Sequence, residues 1–180
     1  MKTYVALLRG INVGGRNSLP MSELSEILDG LGCRDVKTYI QSGNAVFRSA
    51  GAPSSVARGI AGEIRKRRGF EPHVLLFDRP QFAEAVNRNP FTPQEADSKI
   101  LHLGFLDSLP SAPNLDGLEA LKAPTEQFAL IGRVFYLLAP DGVGRSKLAA
   151  KSEKLIGCPM TERNWKTVTK ILSMLGCHSE

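Results

Sequence analysis

Three features of the sequence predict an α+β chain of two ferredoxin-like βαββα(β) halves, each with a mostly antiparallel sheet and packed helices. Apolar runs of strand and helix period follow one another as βαββαβ over residues 1–88. The order βαββα then restarts beyond the Asn89-Pro-Phe-Thr-Pro93 loop, giving a second half over 94–180 with an extra C-terminal helix. Each half also holds two short apolar runs around a polar turn, a hairpin that a purely parallel sheet has no place for.

The elements follow in order. Tyr4 to Leu8 is continuously apolar and reads as a buried strand, after which Gly10-Ile-Asn-Val-Gly-Gly-Arg16 leads to Pro20, a first-turn helix residue. Leu24, Ile27, Leu28 and Leu31 recur at helical spacing, and Gly30 and Gly32 close that helix. Val36–Gln41 and Ala45–Arg48 form a hairpin around Ser42-Gly43-Asn44. Ser54 or Ser55 is expected to cap a helix through Val56, Ile60 and Ile64 that ends at Gly69, with the strand His73–Phe77 next. A short helix through Phe82, Ala85 and Val86 leads to the joint.

In the second half, Ile100–Leu106 reads as a strand and Leu115–Leu121 as a short helix. Gln127–Ile131 and Val134–Leu138 make a hairpin turning at Gly132-Arg133, and Ser146–Ile156 is helical. The last segment reads as a helix through Trp165, Val168, Leu172 and Leu175, with Arg163 and Asn164 exposed at its start and no sixth strand before it.

At 42% hydrophobic residues the chain can bury a core, which excludes disordered and fibrous classes. The apolar run at Tyr4–Leu8 is far shorter than a signal-peptide core or a membrane span, so a cytoplasmic protein with no membrane partner is expected. Cys33, Cys158 and Cys177 lie far apart and read as reduced thiols, and no metal-ligand spacing links His73, His102 or His178. The net charge is +5, and Arg145–Lys170 accounts for all of it with seven basic residues against Glu153 and Glu162. Arg65-Lys66-Arg67-Arg68 sits where a helix C-terminus attracts cations.

Gly10-Ile-Asn-Val-Gly-Gly-Arg-Asn17 approaches the phosphate-binding P-loop pattern but has Arg16 for its lysine and Asn17 for the Mg²⁺-binding hydroxyl. Two readings fit this stretch. In one, its glycines turn backbone N–H groups into a concavity where Arg9, Gly10, Asn12, Gly14, Gly15 and Arg16 hold an anion. In the other it is a tight connection that needs positive φ. Lys147, Lys151 and Lys154 share one face of their helix, and Lys147, Arg163 and Asn164 complete the candidate anion site if the C-terminal segment folds back. No nucleophile elbow or zinc-protease helix is present, so no catalytic residue is assigned and enzyme activity stays open.

The strings Ala6-Leu-Leu-Arg-Gly-Ile-Asn-Val-Gly-Gly15, Tyr39-Ile-Gln-Ser-Gly-Asn44 and Thr161-Glu-Arg-Asn-Trp-Lys-Thr-Val168 resemble the bacterial domain-of-unknown-function family 1697 in order and spacing. The resemblance implies an α+β fold with ferredoxin-like halves and carries no established reaction, cofactor or catalytic residue. Arg16 departs from the lysine frequent there. The expected function is therefore binding of a phosphorylated or otherwise anionic small ligand, with cofactor and oligomeric state open. A weak nucleic-acid-binding module is the alternative, since RNA-binding domains share this topology, although the Tyr39 and Phe47 strands match no base-stacking motif. A structural or interaction domain without a ligand site is the third reading.

Overall fold

A computed structural model describes residues 1–91 and 98–176. Thr92 and Pro93 of the expected joint, Cys177 and His178 lie outside the described residues. The chain divides into two compact units, one comprising Met1–Glu84 and the chain from Ile171 onward, the other Ala85–Lys170.

In the first unit, β1 (Lys2–Arg9) leads to α1 (Met21–Gly30), then to the hairpin of β2 (Arg34–Tyr39) and β3 (Asn44–Ser49), α2 (Pro53–Arg68), β4 (His73–Asp78) and α3 (Arg79–Asn87), whose residues from Ala85 on belong to the second unit. The antiparallel sheet runs β2-β3-β1-β4, with Val5 opposite Val46 and Phe77. Tyr4, Ala6 and Leu8 of β1 pack on Leu24, Ile27 and Leu28 of α1 and Ile60 and Ile64 of α2, while Val5 and Leu7 are buried on the opposite face. Burial on both faces explains why β1 is apolar without alternation. Neither Ser54 nor Ser55 caps α2. Pro53 occupies the first turn after Ala52, so the helix begins ahead of both serines, and Gly69 at φ 77° ends it in the left-handed conformation.

The second unit repeats the plan with β5 (Leu101–Leu106), α4 (Leu115–Leu121), the hairpin of β6 (Gln127–Ile131) and β7 (Val134–Leu138), α5 (Lys147–Ile156), β8 (Met160–Asn164) and the start of α6 (Trp165–Met174), whose residues from Ile171 on belong to the first unit. Its sheet order, β6-β7-β5-β8, is that of the first unit strand for strand. Leu106, Phe135 and Leu137 pack with Leu118 of α4 and Leu148 and Ile156 of α5. Asn114 caps α4 through Gly117 N–H at 2.8 Å, and Ser146 caps α5 through Ala149 N–H at 2.9 Å.

β8 corrects the expectation of a helix without a preceding strand. Residues 160–164 pair antiparallel with β5, Leu103 opposite Arg163. That pairing buries Met160, Thr161 and Arg163, so Arg163 is a sheet residue rather than an exposed group at a helix start. Asn164 does act as a cap, accepting the Thr167 N–H at 2.9 Å. Trp165, which opens the apolar series of α6, is half-buried.

Candidate functional site

The glycine-rich stretch folds into a small hairpin of its own. Gly14 and Gly15 have φ of 57° and 72°, the two consecutive positive values that a tight type I′ turn requires. Val13 bridges Arg16, whose N–H donates to the Val13 carbonyl at 3.0 Å, and the Asn12 N–H donates to the Asn17 carbonyl at 3.0 Å. These N–H groups are thus satisfied inside the loop, and the tip projects with Val13 67% exposed.

Asn12 fastens the hairpin to the rest of its unit. Its Oδ1 accepts the Leu19 N–H at 2.8 Å, and its Nδ2 donates to the carbonyls of Leu19 at 2.9 Å and Gln41 at 2.7 Å. Gln41 belongs to the Tyr39–Asn44 turn, so one carboxamide joins two of the distinctive strings. Gly43 completes the junction: its carbonyl accepts the Leu8 N–H, and a Cβ there would come within 2.6 Å of Ile11 Cδ1. Beside it Ile40 has φ 46°, a left-handed conformation that crowds a β-branched side chain, although it is 47% exposed. Of the residues assigned to an anion site, Arg9, Gly10, Asn12, Gly14, Gly15 and Arg16 belong to this end of the first unit. Arg16 is exposed and makes no ion pair with any described residue.

Lys147, Arg163 and Asn164 belong to the second unit. Arg163 donates to the Glu162 carbonyl at 2.8 Å, and burial pushes its guanidinium down to about 10 against the opposing pull of the Glu162 charge, so it stays cationic at neutral pH. Glu162 also faces His102 Nδ1 at 3.0 Å, while His102 Nε2 lies 3.1 Å from the Lys99 carbonyl. Both neighbours of that ring are acceptors, so only the doubly protonated form donates to both.

Lys147 lies at a different feature, a concavity of about 420 Å³ between the end of α4 and the start of α5. Arg145 and Lys147 line it at the capped N-terminus of α5, together with Glu126 and Asp141. The two carboxylates already have partners: Glu126 accepts the Ala123 N–H at 2.9 Å, and Asp141 accepts the Thr125 hydroxyl at 2.6 Å. The two cations are exposed and have no carboxylate partner among the described residues. Arg145, Glu126 and Asp141 are missing from the sequence-level site, because only the fold brings residues 120–126 next to 141–147.

Among the described residues no group of three or more His, Cys, Asp or Glu side chains is placed to hold a metal ion. No described helix is long and apolar enough to cross a membrane.

The model of a family described as proteins of unknown function, DUF1697, matches residues 1–136. The chain belongs to this family. Its fold is similar to that of the conserved bacterial protein SP0830 from Streptococcus pneumoniae, with 26% identity, a TM-score of 0.72, and coverage of 97% of this chain and 98% of that one. No curated protein matches the chain. The matched residues include the strings Ala6–Gly15 and Tyr39–Asn44, which meet at Asn12 and the turn it holds, whereas Thr161–Val168, running across β8 into α6, lies beyond them.

Proposed function

We propose that this DUF1697 protein binds a phosphorylated or otherwise anionic small ligand in the concavity at the start of α5. The observation that carries the reading is the pairing state of the lining: Arg145 and Lys147 lack carboxylate partners among the described residues while Glu126 and Asp141 are engaged by neighbours. A volume of about 420 Å³ falls within the roughly 300–1,000 Å³ of small-molecule sites. The first turn of α5 adds the positive end of its dipole and its uncapped N–H groups. Residues 1–88 and 94–180 are, on this reading, ferredoxin-like duplicates in a cytoplasmic protein, and the second copy carries the ligand.

Thermal unfolding with phosphate, sulfate and a panel of nucleotides and sugar phosphates tests the proposal, since a ligand of the native state raises the midpoint by mass action. At least one anion is expected to stabilise the protein, and Arg145→Ala with Lys147→Ala to abolish the effect. An effect unchanged in that variant but lost in Arg16→Ala would move the site to the glycine hairpin.

The polyanion alternative is favoured by one observation, the exposure of Lys147, Lys151 and Lys154 along α5 without acidic partners among the described residues. It predicts weak binding whose salt slope falls by about one unit per lysine removed.

A further inference from the structure

The four edge strands of the two sheets differ in how they guard against pairing with another chain. β4 and β8 are largely buried. β2 is exposed but carries Arg34, Asp35 and Lys37, and a bulge between Arg34 and Lys37 with Asp35 at φ 54° breaks its extended line. Such charges and bulges are how natural edges resist unwanted strands. β6 has neither. Gln-Phe-Ala-Leu-Ile is uncharged, unbulged and half-exposed, and among the described residues it pairs with β7 alone.

We propose that β6 is a self-association edge, pairing antiparallel with β6 of a second copy of this chain about a twofold axis at Ala129. The register follows from the hairpin. Across the two-residue turn Gly132-Arg133, Ile131 faces Val134 as a hydrogen-bonded pair, so alternation gives Ala129 and Gln127 the other inward bonds. Phe128 and Leu130 are left with their N–H and C=O groups pointing away from β7. A twofold axis at Ala129 sets Phe128 opposite Leu130 of the other copy, so the outward groups meet in pairs and make four hydrogen bonds.

The side chains agree with that register. Phe128 and Leu130 pack on the second unit's core, and pairing would continue that apolar layer from one copy into the next with aromatic-to-aliphatic cross-strand contacts. Beyond the strand the same axis sets Glu126 opposite Gly132 and Arg133 opposite Thr125, so no like charges meet. Arg133 is already bound to the carbonyls of Leu106 and Asp107. Self-complementarity of one uncharged strand is what an isologous interface needs and what an unrelated charged peptide would not find.

Five residues of edge make a small interface, so the dimer forms with rising concentration rather than permanently. Sedimentation velocity on the full chain, from low micromolar to about 1 mM, is expected to show monomer passing to dimer. Ala129→Lys and Ala129→Glu, which oppose like charges at the axis, are each expected to stay monomeric at concentrations at least about tenfold above the wild-type midpoint. Their equimolar mixture is expected to dimerise again. Amide exchange in the wild-type protein reads the same interface without a variant: the Phe128 and Leu130 N–H groups should become protected as concentration rises. A wild type that stays monomeric throughout, a dimer indifferent to both substitutions, or protection that ignores concentration at Phe128 and Leu130 would overturn the proposal.

Discussion

The two units share one strand order yet treat their cations in opposite ways. In the first, Arg67 reaches Glu26 at 3.5 Å, Arg68 grips Glu23, Lys66 grips Glu63 and Arg65 meets Glu71 at 3.2 Å, so the basic end of α2 is closed by neighbouring carboxylates. In the second, Arg145, Lys147, Lys151 and Lys154 stand along the start and face of α5 without acidic partners among the described residues. The local density of basic residues is therefore a poor guide to an anion site. What distinguishes the two clusters is whether the fold has supplied carboxylates.

Four measurements ask how far the two units differ. The largest effect is expected in the cores, where the units should behave alike: Phe47→Ala in the first and Phe135→Ala in the second should each cost about 3–5 kcal/mol in denaturant unfolding, both rings being fully buried. A loss several-fold smaller in one unit would mean that its core relaxes and that the shared order hides unequal packing.

Next is Asn12, which has no counterpart in the shorter connection from β5 to α4. Asn12→Ala removes three side-chain hydrogen bonds, one from a partly buried backbone N–H that would lose its acceptor, and should cost about 2–3 kcal/mol. An effect within about 0.5 kcal/mol would show that water replaces the carboxamide.

Ile40 should move stability the other way. Glycine adopts its φ of 46° freely, and the side chain given up is 47% exposed, so Ile40→Gly is expected to raise stability by about 1 kcal/mol in thermal unfolding. A loss of stability would show that Ile40 packs well enough to outweigh its strain.

The smallest effect concerns Glu23. The Arg68 side chain hydrogen-bonds its carboxylate and holds it below the ordinary glutamate range. Its folded pKa is depressed, so the stabilisation is present above the unfolded value of 4.5 and is lost as pH falls through the lower, folded one. In an NMR titration the Glu23 carboxyl should have a midpoint below 4.5 that moves upward in Arg68→Ala. A midpoint unchanged by that substitution would mean the pair is not populated in solution.

Legibility followed the range of the interactions. The Gln127–Ile131 and Val134–Leu138 strands coincide with expectation to the residue, because a two-residue turn fixes a hairpin locally. β8 was hidden because Thr-Glu-Arg-Asn spells a helix start, and only pairing with β5, some 60 residues earlier, makes it a strand. At the α2 start one turn chemistry wins over another, proline's fixed φ opening the helix ahead of the serine caps. The lysines of α5 were visible as a face, whereas the concavity at its start needs two segments brought together. Asn12 reads locally as an anion ligand, whereas its bond to Gln41 spans 29 positions and no local pattern announces it.

That bond has a kinetic consequence. Because the same carboxamide holds the Leu19 segment and the Gln41 carbonyl, the glycine hairpin cannot open by fraying at its own base without also loosening the turn ahead of β3. The Leu19 amide, which donates to Asn12, and the Leu8 amide, which donates to Gly43 in that turn, should then exchange with solvent as one cooperative unit rather than as two surface loops.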